Sequence, residues 1–475
     1  MSTAARRIAQ FAAGLRLADI PAEVVAAAKL HFLDAIGVGL AASTVPLSAG
    51  WAGAAQRIGG AGPATVLGRA GGRSAAAAAL ANGAQIHSLE YDDTHIGSVV
   101  HGGAVAAPAA LAAAEEAEAS GDRLLAGYIA AWEVMIRLGL AAPGAYQASG
   151  FQVSAVGGAL GAATAAAAIG GMTRDRAVSA LGIAGSQASG LLEFLSDGAT
   201  VKALHPGWAA HTGIAAAALA EAGMTGPASV LEGRFGFLAA FARDPAAAGR
   251  LAAHLDQLGE VWHLPDAAFK LYPCCHYIHP YLEAMQALSD GLRRDEIASI
   301  TCHVAPPAAA LICEPWKRRQ NPASGYDGKW GLAYCLAALL VDGRVDVTTF
   351  AGAPDPAVVH VARRIGWEPL APHHFPHRFE AAIDVRLADG AIRKFEIRQV
   401  RGGPGRPIRE AEVLEKFRAN AARALPPPSV ERLAETILSL ERIETPAPMT
   451  AFLRRSDVPP GASPRAAPDP PPGRA

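Results

Sequence analysis

The chain has 475 residues, which is enough for about two domains of ordinary size. Its 42 lysines and arginines balance 43 aspartates and glutamates, so there is no global field to hold nucleic acid or an anionic membrane. An anionic ligand has to meet a local positive pocket, and each alanine-rich run is broken by charge, Gly or Pro short of the ~20 apolar residues that a membrane span needs.

The amino-terminal stretch carries Arg6 and Arg7 but reads as an amphipathic helix with Ile8, Phe11, Leu15 and Leu17 on one side, in preference to a signal peptide. From Pro21 to about Gly170 helix follows helix, punctuated by Gly59-Gly60-Ala61-Gly62-Pro63 and Ala142-Pro143-Gly144. Helical pattern continues through Ala177 to Gly190, Ala209 to Gly223 and Pro245 to Leu258. After Leu264 the character changes. A strand is predicted over Ile300 to Val304, and a two-residue hairpin turn at Asp389-Gly390 inside the alternating stretch from Ala382 to Ile397. Near Glu410 helical spacing returns, with Val413, Leu414, Phe417 and Ala421 on one face, and it resumes from Val430 to Ile443. The predicted fold is mainly α: a large all-helical domain built from residues 1–265 and 406–455, and a smaller α+β lid domain over residues 266–405. Residues 456–475, rich in Pro, Gly and Ala, are expected to be a disordered tail. The five cysteines are odd in number and lack paired spacing, which fits a reducing cytoplasm better than a disulfide framework.

Polar residues concentrate in three places. The densest is HSLEYDDTHIGSVVHGG, which puts His87, Glu90, Asp92, Asp93, Thr94, His95 and His101 into an otherwise apolar region. A capped polar loop is the plain alternative, with Asp93 or Thr94 as the cap. Histidine and carboxylate also suit zinc or iron, but neither HExxH nor facial-triad spacing is present and no metal is assigned. The chemical reading is proton transfer by an imidazole tuned by neighbouring carboxylates. His101 is the preferred acid/base residue, because Gly102 and Gly103 would let a ligand approach the backbone.

The second group, SDGATVKALHPGWAAHTG, holds Lys202, His205 and His211; Lys202 and His205 share one turn if the segment is helical. An ordinary surface lysine is the alternative there. The third, KLYPCCHYIHP, holds Lys270, Cys275, His276 and His279. Cys274 and Cys275 form no CxxC pair and have no dedicated base, so both read as small buried side chains. Lysine and histidine groups of this kind suit a carboxylate ligand, whose anion they would hold and whose enediolate-like transition state they would stabilise. No GxGxxG after a strand, no GxxxxGK[ST] and no GxSxG is present, so nucleotide and hydrolase readings lack their anchors. His373, His374 and His377, framed by Pro372 and Pro376, read as a surface loop.

The ordered segments LDAIGVGLAAS, ANGAQIHSLEYDDTH, GFQVSAVGGALGAA, ALHPGWAAHTG, KLYPCCHYIHP and YDGKWGLAYCLAALL together resemble the MmgE/PrpD family over nearly the whole chain. That family includes 2-methylcitrate dehydratase, cis-aconitate decarboxylase and iminodisuccinate epimerase. The resemblance implies a helical domain made from both chain ends, an α+β lid, an active site between them, usually a homodimer, and no required cofactor. It places Glu90, Asp92, Asp93, Thr94 and His101 in the site, with Lys202 and Lys270 as its lysines. Three positions depart from the family pattern. Gln152 stands where many members have histidine, Cys275 where the decarboxylase type has histidine, with His276 adjoining, and Glu90 where aspartate is common.

The expected activity is that of a lyase, a dehydratase removing water from a small di- or tricarboxylic hydroxy acid. Acid/base roles fall to His101, Lys202, Lys270 and Asp93, and substrate contacts to Glu90, Asp92, Thr94, Gln152, Cys275, His276 and His279. An epimerase or double-bond isomerase, a decarboxylase, and a catalytically silent binding protein are the alternatives. A small carboxylate is the expected partner.

Overall fold

A computed structural model of the chain describes residues 2–196, 198–289 and 294–454. The stretch expected to be a disordered tail lies outside them. Helix accounts for 60% and strand for 9%, which makes the fold mainly α.

Two hydrophobic cores organise the molecule. The larger runs from Ala5 to Ala267 and is completed by Phe417, Val430, Leu433, Ile437 and Leu453 from the far end of the chain. The smaller gathers residues between Tyr272 and Leu387 around one four-stranded sheet. Small side chains let the helices of the larger core approach closely. The helices Ala75–Ser88 and Val201–Glu221 cross with Gly83 against Gly207, where a Cβ on Gly83 would meet the Gly207 Cα at 2.6 Å. That contact brings the end of one helix, with His87, to the start of the other, with Lys202 and His205.

The break in the apolar runs expected from the sequence is not observed. Ala22–Ser43, Gly121–Ala141 and Val153–Gly170 are each long and apolar enough to cross a membrane. Their faces are nonetheless covered by protein, at 72%, 94% and 89% burial respectively. A helix apolar all round has to be covered on every side, and here other parts of the protein cover most of it.

The amino-terminal helix is Ala4–Gly14, with Ile8 fully buried. The two short strands Ala64–Thr65 (β1) and Gly72–Arg73 (β2) pair antiparallel within the helical part. The larger sheet consists of Ile297–Val304 (β3), Ile365–Pro369 (β4), Ala381–Leu387 (β5) and Ile392–Ile397 (β6), in the order β4-β3-β5-β6. Alternating burial along β5 turns Ala381, Ile383, Val385 and Leu387 toward the smaller core. The β5–β6 turn differs from the predicted two-residue type. The Gly390 N–H donates to the Leu387 carbonyl at 3.0 Å and the Leu387 N–H to the Ala391 carbonyl at 2.8 Å, a longer loop in which Gly390 takes φ +87°.

The helices Glu410–Ala421 and Pro427–Leu438 return to the larger core, burying Val413, Phe417 and Ala421 of the predicted face, with Leu414 half-buried. Lys416 is buried among them, and its Nζ lies 3.0 Å from Asp34 Oδ2 and 2.8 Å from the Tyr91 carbonyl oxygen.

Candidate active site

The three polar segments of the sequence meet where the two cores adjoin. They surround a cavity of about 340 Å³, lined by Glu90, Thr94, His101, Gln152, Lys202, Lys270, Cys275 and His276, with Gln147 and a larger apolar set completing the wall.

Local backbone structure sets these side chains in place. Glu90 sits just beyond the helix Ala75–Ser88 with φ +54°, a left-handed conformation uncommon outside glycine, which turns the chain sharply into the acidic loop. Thr94 then pairs antiparallel with Ala268, its N–H donating to the Ala268 carbonyl at 2.9 Å and its own carbonyl accepting from the Ala268 N–H at 2.8 Å. This bridge fixes the loop beside Lys270. Lys329 adds a second tie, donating to the carbonyls of Leu89 at 2.7 Å and Pro273 at 3.0 Å, with its pKa lowered to about 8 by burial.

The lysines converge on Glu90. Lys202 Nζ is ion-paired with Glu90 Oε1, while Lys270 Nζ lies 3.6 Å from Oε2 and donates to the Glu90 carbonyl at 3.1 Å. Burial alone would push the Glu90 carboxyl up, but the two ammonium groups override it and hold it well below the usual carboxylate range. Lys202 also stands over the Trp330 ring at 5.3 Å.

A directional chain of hydrogen bonds runs beside the cavity from Asp92 through His87 and Gln152 to His205. Asp92 Oδ2 can only accept, so the His87 Nδ1–H donates to it at 2.8 Å and leaves His87 Nε2 as an acceptor. The Gln152 amide nitrogen donates to that Nε2 at 3.4 Å, and Gln152 Oε1 accepts from the His205 Nδ1–H at 2.7 Å. The amide is therefore orientated by both histidines. At the other end His101 Nδ1 lies 3.1 Å from the Asp93 carbonyl, 3.0 Å from Thr94 Oγ1 and 3.6 Å from Asp92 Oδ2. Acceptors surround Nδ1, which therefore carries the ring proton and leaves Nε2 with its lone pair. Burial lowers the His101 pKa to about 3 against the pull of Asp92, so the ring is neutral at pH 7. Burial would raise Asp92, but His87 beside it holds it well below its ordinary value.

Not every expected residue reaches the cavity. The Asp93 carboxylate is used elsewhere: Oδ2 lies 2.8 Å from His31 Nδ1, and Oδ1 accepts the Gly103 N–H at 2.9 Å, which caps the helix Gly103–Glu116. It holds the loop, and an acid/base role for its side chain does not fit this position. Asp92 lies behind His101, and His279 behind His276 with their rings 4.8 Å apart. The two glycines after His101 also have a different purpose from ligand access. A Cβ on Gly102 would meet the Trp132 ring at 2.4 Å, and one on Gly103 would meet Asp93 Oδ1 at 2.7 Å, so they admit protein side chains.

His87, Asp92 and His101 offer ligand atoms within 4.8 Å of one another. The direct 2.8 Å bond between His87 and Asp92 occupies the atoms a cation would need, so it would have to be replaced on binding. The apolar lining from Ile96, Val99, Leu311, Tyr277, Trp330 and Phe379 was missed in the sequence, because these residues are scattered and individually ordinary. Ile96 and Val99 fall in HSLEYDDTHIGSVVHGG, Tyr277 in KLYPCCHYIHP and Trp330 in YDGKWGLAYCLAALL, where the charged neighbours drew the reading, while Leu311 and Phe379 stand outside these segments.

The arrangement suits proton transfer at a carbon beside a carboxylate: a neutral imidazole faces a mostly apolar space in which two ammonium groups are fixed. Comparison with known proteins gives the family of the chain. The MmgE/PrpD N-terminal domain matches residues 6–249 and the MmgE/PrpD C-terminal domain residues 272–442. The chain is 29% identical over 470 residues to a cis-aconitate decarboxylase of Aspergillus terreus, covering 94% of this chain and 95% of that protein. It is 30% identical over 451 residues to the cis-aconitate decarboxylase-like protein oryM of Aspergillus oryzae, covering 90% and 92%. With the human cis-aconitate decarboxylase it shares 30% identity over 400 residues, 81% of each chain. The chain belongs to the MmgE/PrpD family.

Proposed function

We propose that the protein is a lyase acting on a small hydroxy carboxylic acid, in which His101 takes a proton from the carbon next to a carboxylate and water leaves from the adjacent carbon. The observation that carries this reading is the set of acceptors around His101 Nδ1, which leaves Nε2 free to act as a base on the cavity side. As Nε2 takes the proton the ring becomes cationic, and Asp92, 3.6 Å from Nδ1, stabilises that charge. Lys202 and Lys270 offset the negative charge that builds on the substrate carboxylate. The C–H electron pair becomes the new C=C bond, the C–O bond breaks, and the departing hydroxide takes the proton from the imidazolium. An unsaturated acid and water result, and His101 returns to its neutral form.

A second reading is loss of carbon dioxide, with the same residues delivering a proton to carbon. It is supported by the names of the relatives, which are cis-aconitate decarboxylases along most of their length. If the proton returns to the same or a neighbouring carbon and no group leaves, the outcome is isomerisation.

The deciding experiment is incubation of the full chain with hydroxy and unsaturated carboxylic acids in deuterated water, followed by NMR. Dehydration gives a new alkene, decarboxylation gives carbon dioxide with deuterium at the neighbouring carbon, and isomerisation gives exchange alone. His101→Asn is expected to slow the reaction by roughly 10²–10⁴-fold. If no acid reacts or exchanges, and His101→Asn leaves ligand-induced thermal stabilisation untouched, the protein is a binding protein at this site and the lyase reading fails.

A further inference from the structure

The charge on the cavity wall is small. Lys202 and Lys270 contribute positive charge and Glu90, held between them, removes half of it. Behind the wall the negative charge of Asp92, 3.6 Å from His101, is opposed by Lys329, which is tied to the carbonyls of Leu89 and Pro273, so little net charge is added from there. The remaining polar lining is uncharged: Gln147 and Gln152 are amides, Thr94 is a hydroxyl, burial keeps His101 and His276 neutral, and it pushes the Cys275 thiol up to about 11. Among the described residues no arginine lines the cavity. Arg318 and Arg319 line a neighbouring cavity and are held there by Asp327 at 2.9 and 3.5 Å.

Most of the rest of the wall is apolar, with Ile96, Val99, Leu311, Tyr277, Trp330 and Phe379 facing the same space and the Gln147 amide, whose Oε1 is buried without a partner, set among them. Within it lies a buried polar group without a use in the protein: both ring nitrogens of His276 lack a hydrogen-bond partner, although the residue is only 4% exposed. A buried imidazole left in this state marks the place of a neutral polar group on a ligand.

From this cavity we infer that the substrate is a hydroxy acid with a single carboxylate and an apolar body, and that citrate-like tricarboxylates are rejected. Lys202 and Lys270 hold the carboxylate, His276 bonds the hydroxyl, and the aromatic and aliphatic wall buries the remainder. A second or third carboxylate would lie in an apolar, desolvated space without a cation to pair with, which disfavours its binding strongly. The inference rests on the carboxylate-lyase reading for the identity of the site and narrows its substrate.

Isothermal titration of the full chain, as wild type and as His101→Asn, tests it without requiring turnover. The probes are 3-hydroxybutyrate, 3-hydroxyhexanoate, 3-hydroxy-3-phenylpropanoate, malate, citrate and cis-aconitate. Hydroxyhexanoate and the phenyl acid are expected to bind at least tenfold tighter than citrate and cis-aconitate. Affinity is also expected to rise about fourfold for each methylene added between butyrate and hexanoate. Citrate or cis-aconitate binding as tightly as hydroxyhexanoate, or an affinity independent of chain length, overturns the inference. Glu90→Gln adds one unit of net positive charge and is expected to narrow the gap between hydroxyhexanoate and malate at least fivefold; an unchanged gap overturns the role given to wall charge. If that variant does not fold, the wild-type series decides. Ordered binding of the apolar acids without reaction leaves the inference standing and defeats the lyase reading, whereas turnover of a tricarboxylate does the reverse.

Discussion

At the scale of single residues, the site depends on which nitrogen of each imidazole carries a proton. Asp92 accepts from His87 and lies beside His101, so Asp92→Asn keeps the shape while removing the charge. It is expected to lower kcat by roughly 10²–10⁴-fold with KM little changed. A raised KM with intact kcat would instead make Asp92 a residue that shapes the binding cavity. Packing is equally specific next door. At Gly102 the backbone is ordinary, φ −77°, but a Cβ would enter the Trp132 ring, so Gly102→Ala is expected to cost about 1–3 kcal/mol in urea unfolding through overpacking alone. The sequence made His101, Lys202 and Lys270 visible because charged groups stand out in an alanine-rich chain. It did not separate Asp92 from Asp93. Adjacent residues in an irregular loop point in unrelated directions, and only tertiary partners, here His31 and the Gly103 N–H, decide which carboxylate turns away.

At the scale of elements, the helix Glu410–Ala421 is bound to the site by one lysine. Lys416 bridges Asp34 on the helix Ala22–Ser43 and the carbonyl of Tyr91, next in chain to Glu90 and Asp92. Lys416→Met would leave Asp34 buried without its cation and is expected to destabilise the fold by about 3–5 kcal/mol, read from the midpoint of urea unfolding. A change below about 1 kcal/mol would mean that Asp34 is protonated and needs no partner, in keeping with the rise of its pKa to about 6 on burial. Helices and the strand at Ile300 were legible from period and composition. The length of the β5–β6 turn was not, since Asp389-Gly390 suits more than one loop and the Leu387–Ala391 hydrogen bond selects among them. Nor was the crossing of Ala75–Ser88 with Val201–Glu221, because two glycines far apart in the chain carry no mark that they meet.

At the scale of the whole molecule, burial of histidines sets the response to acid. His95 and His101 fall to about 3 and His205 and His263 to about 4, all lowered first by desolvation from an ordinary 6.5. Below pH 6.5 the unfolded chain takes up protons that the folded chain refuses, so stability is lost as pH falls from there toward about 3. Glu90 and Asp92, held low, add to the loss at the acid end, while Asp34 and Glu133, raised by burial, oppose it. The melting temperature is therefore expected to drop steadily from pH 7 to pH 5, and a flat or rising profile would contradict the burial of these rings. The return of the last helices to the first core has a further consequence during synthesis. Lys416 and Asp34 are 382 positions apart. At about 5–20 residues per second, a ribosome needs roughly 20–80 s to make the second after the first. Throughout that interval the nascent helical domain presents an open groove beside Gly37, where Phe417 will later sit. The growing chain has to be shielded there until its final helices emerge, and messages truncated before them would yield a sticky, unfinished protein in place of a smaller working one.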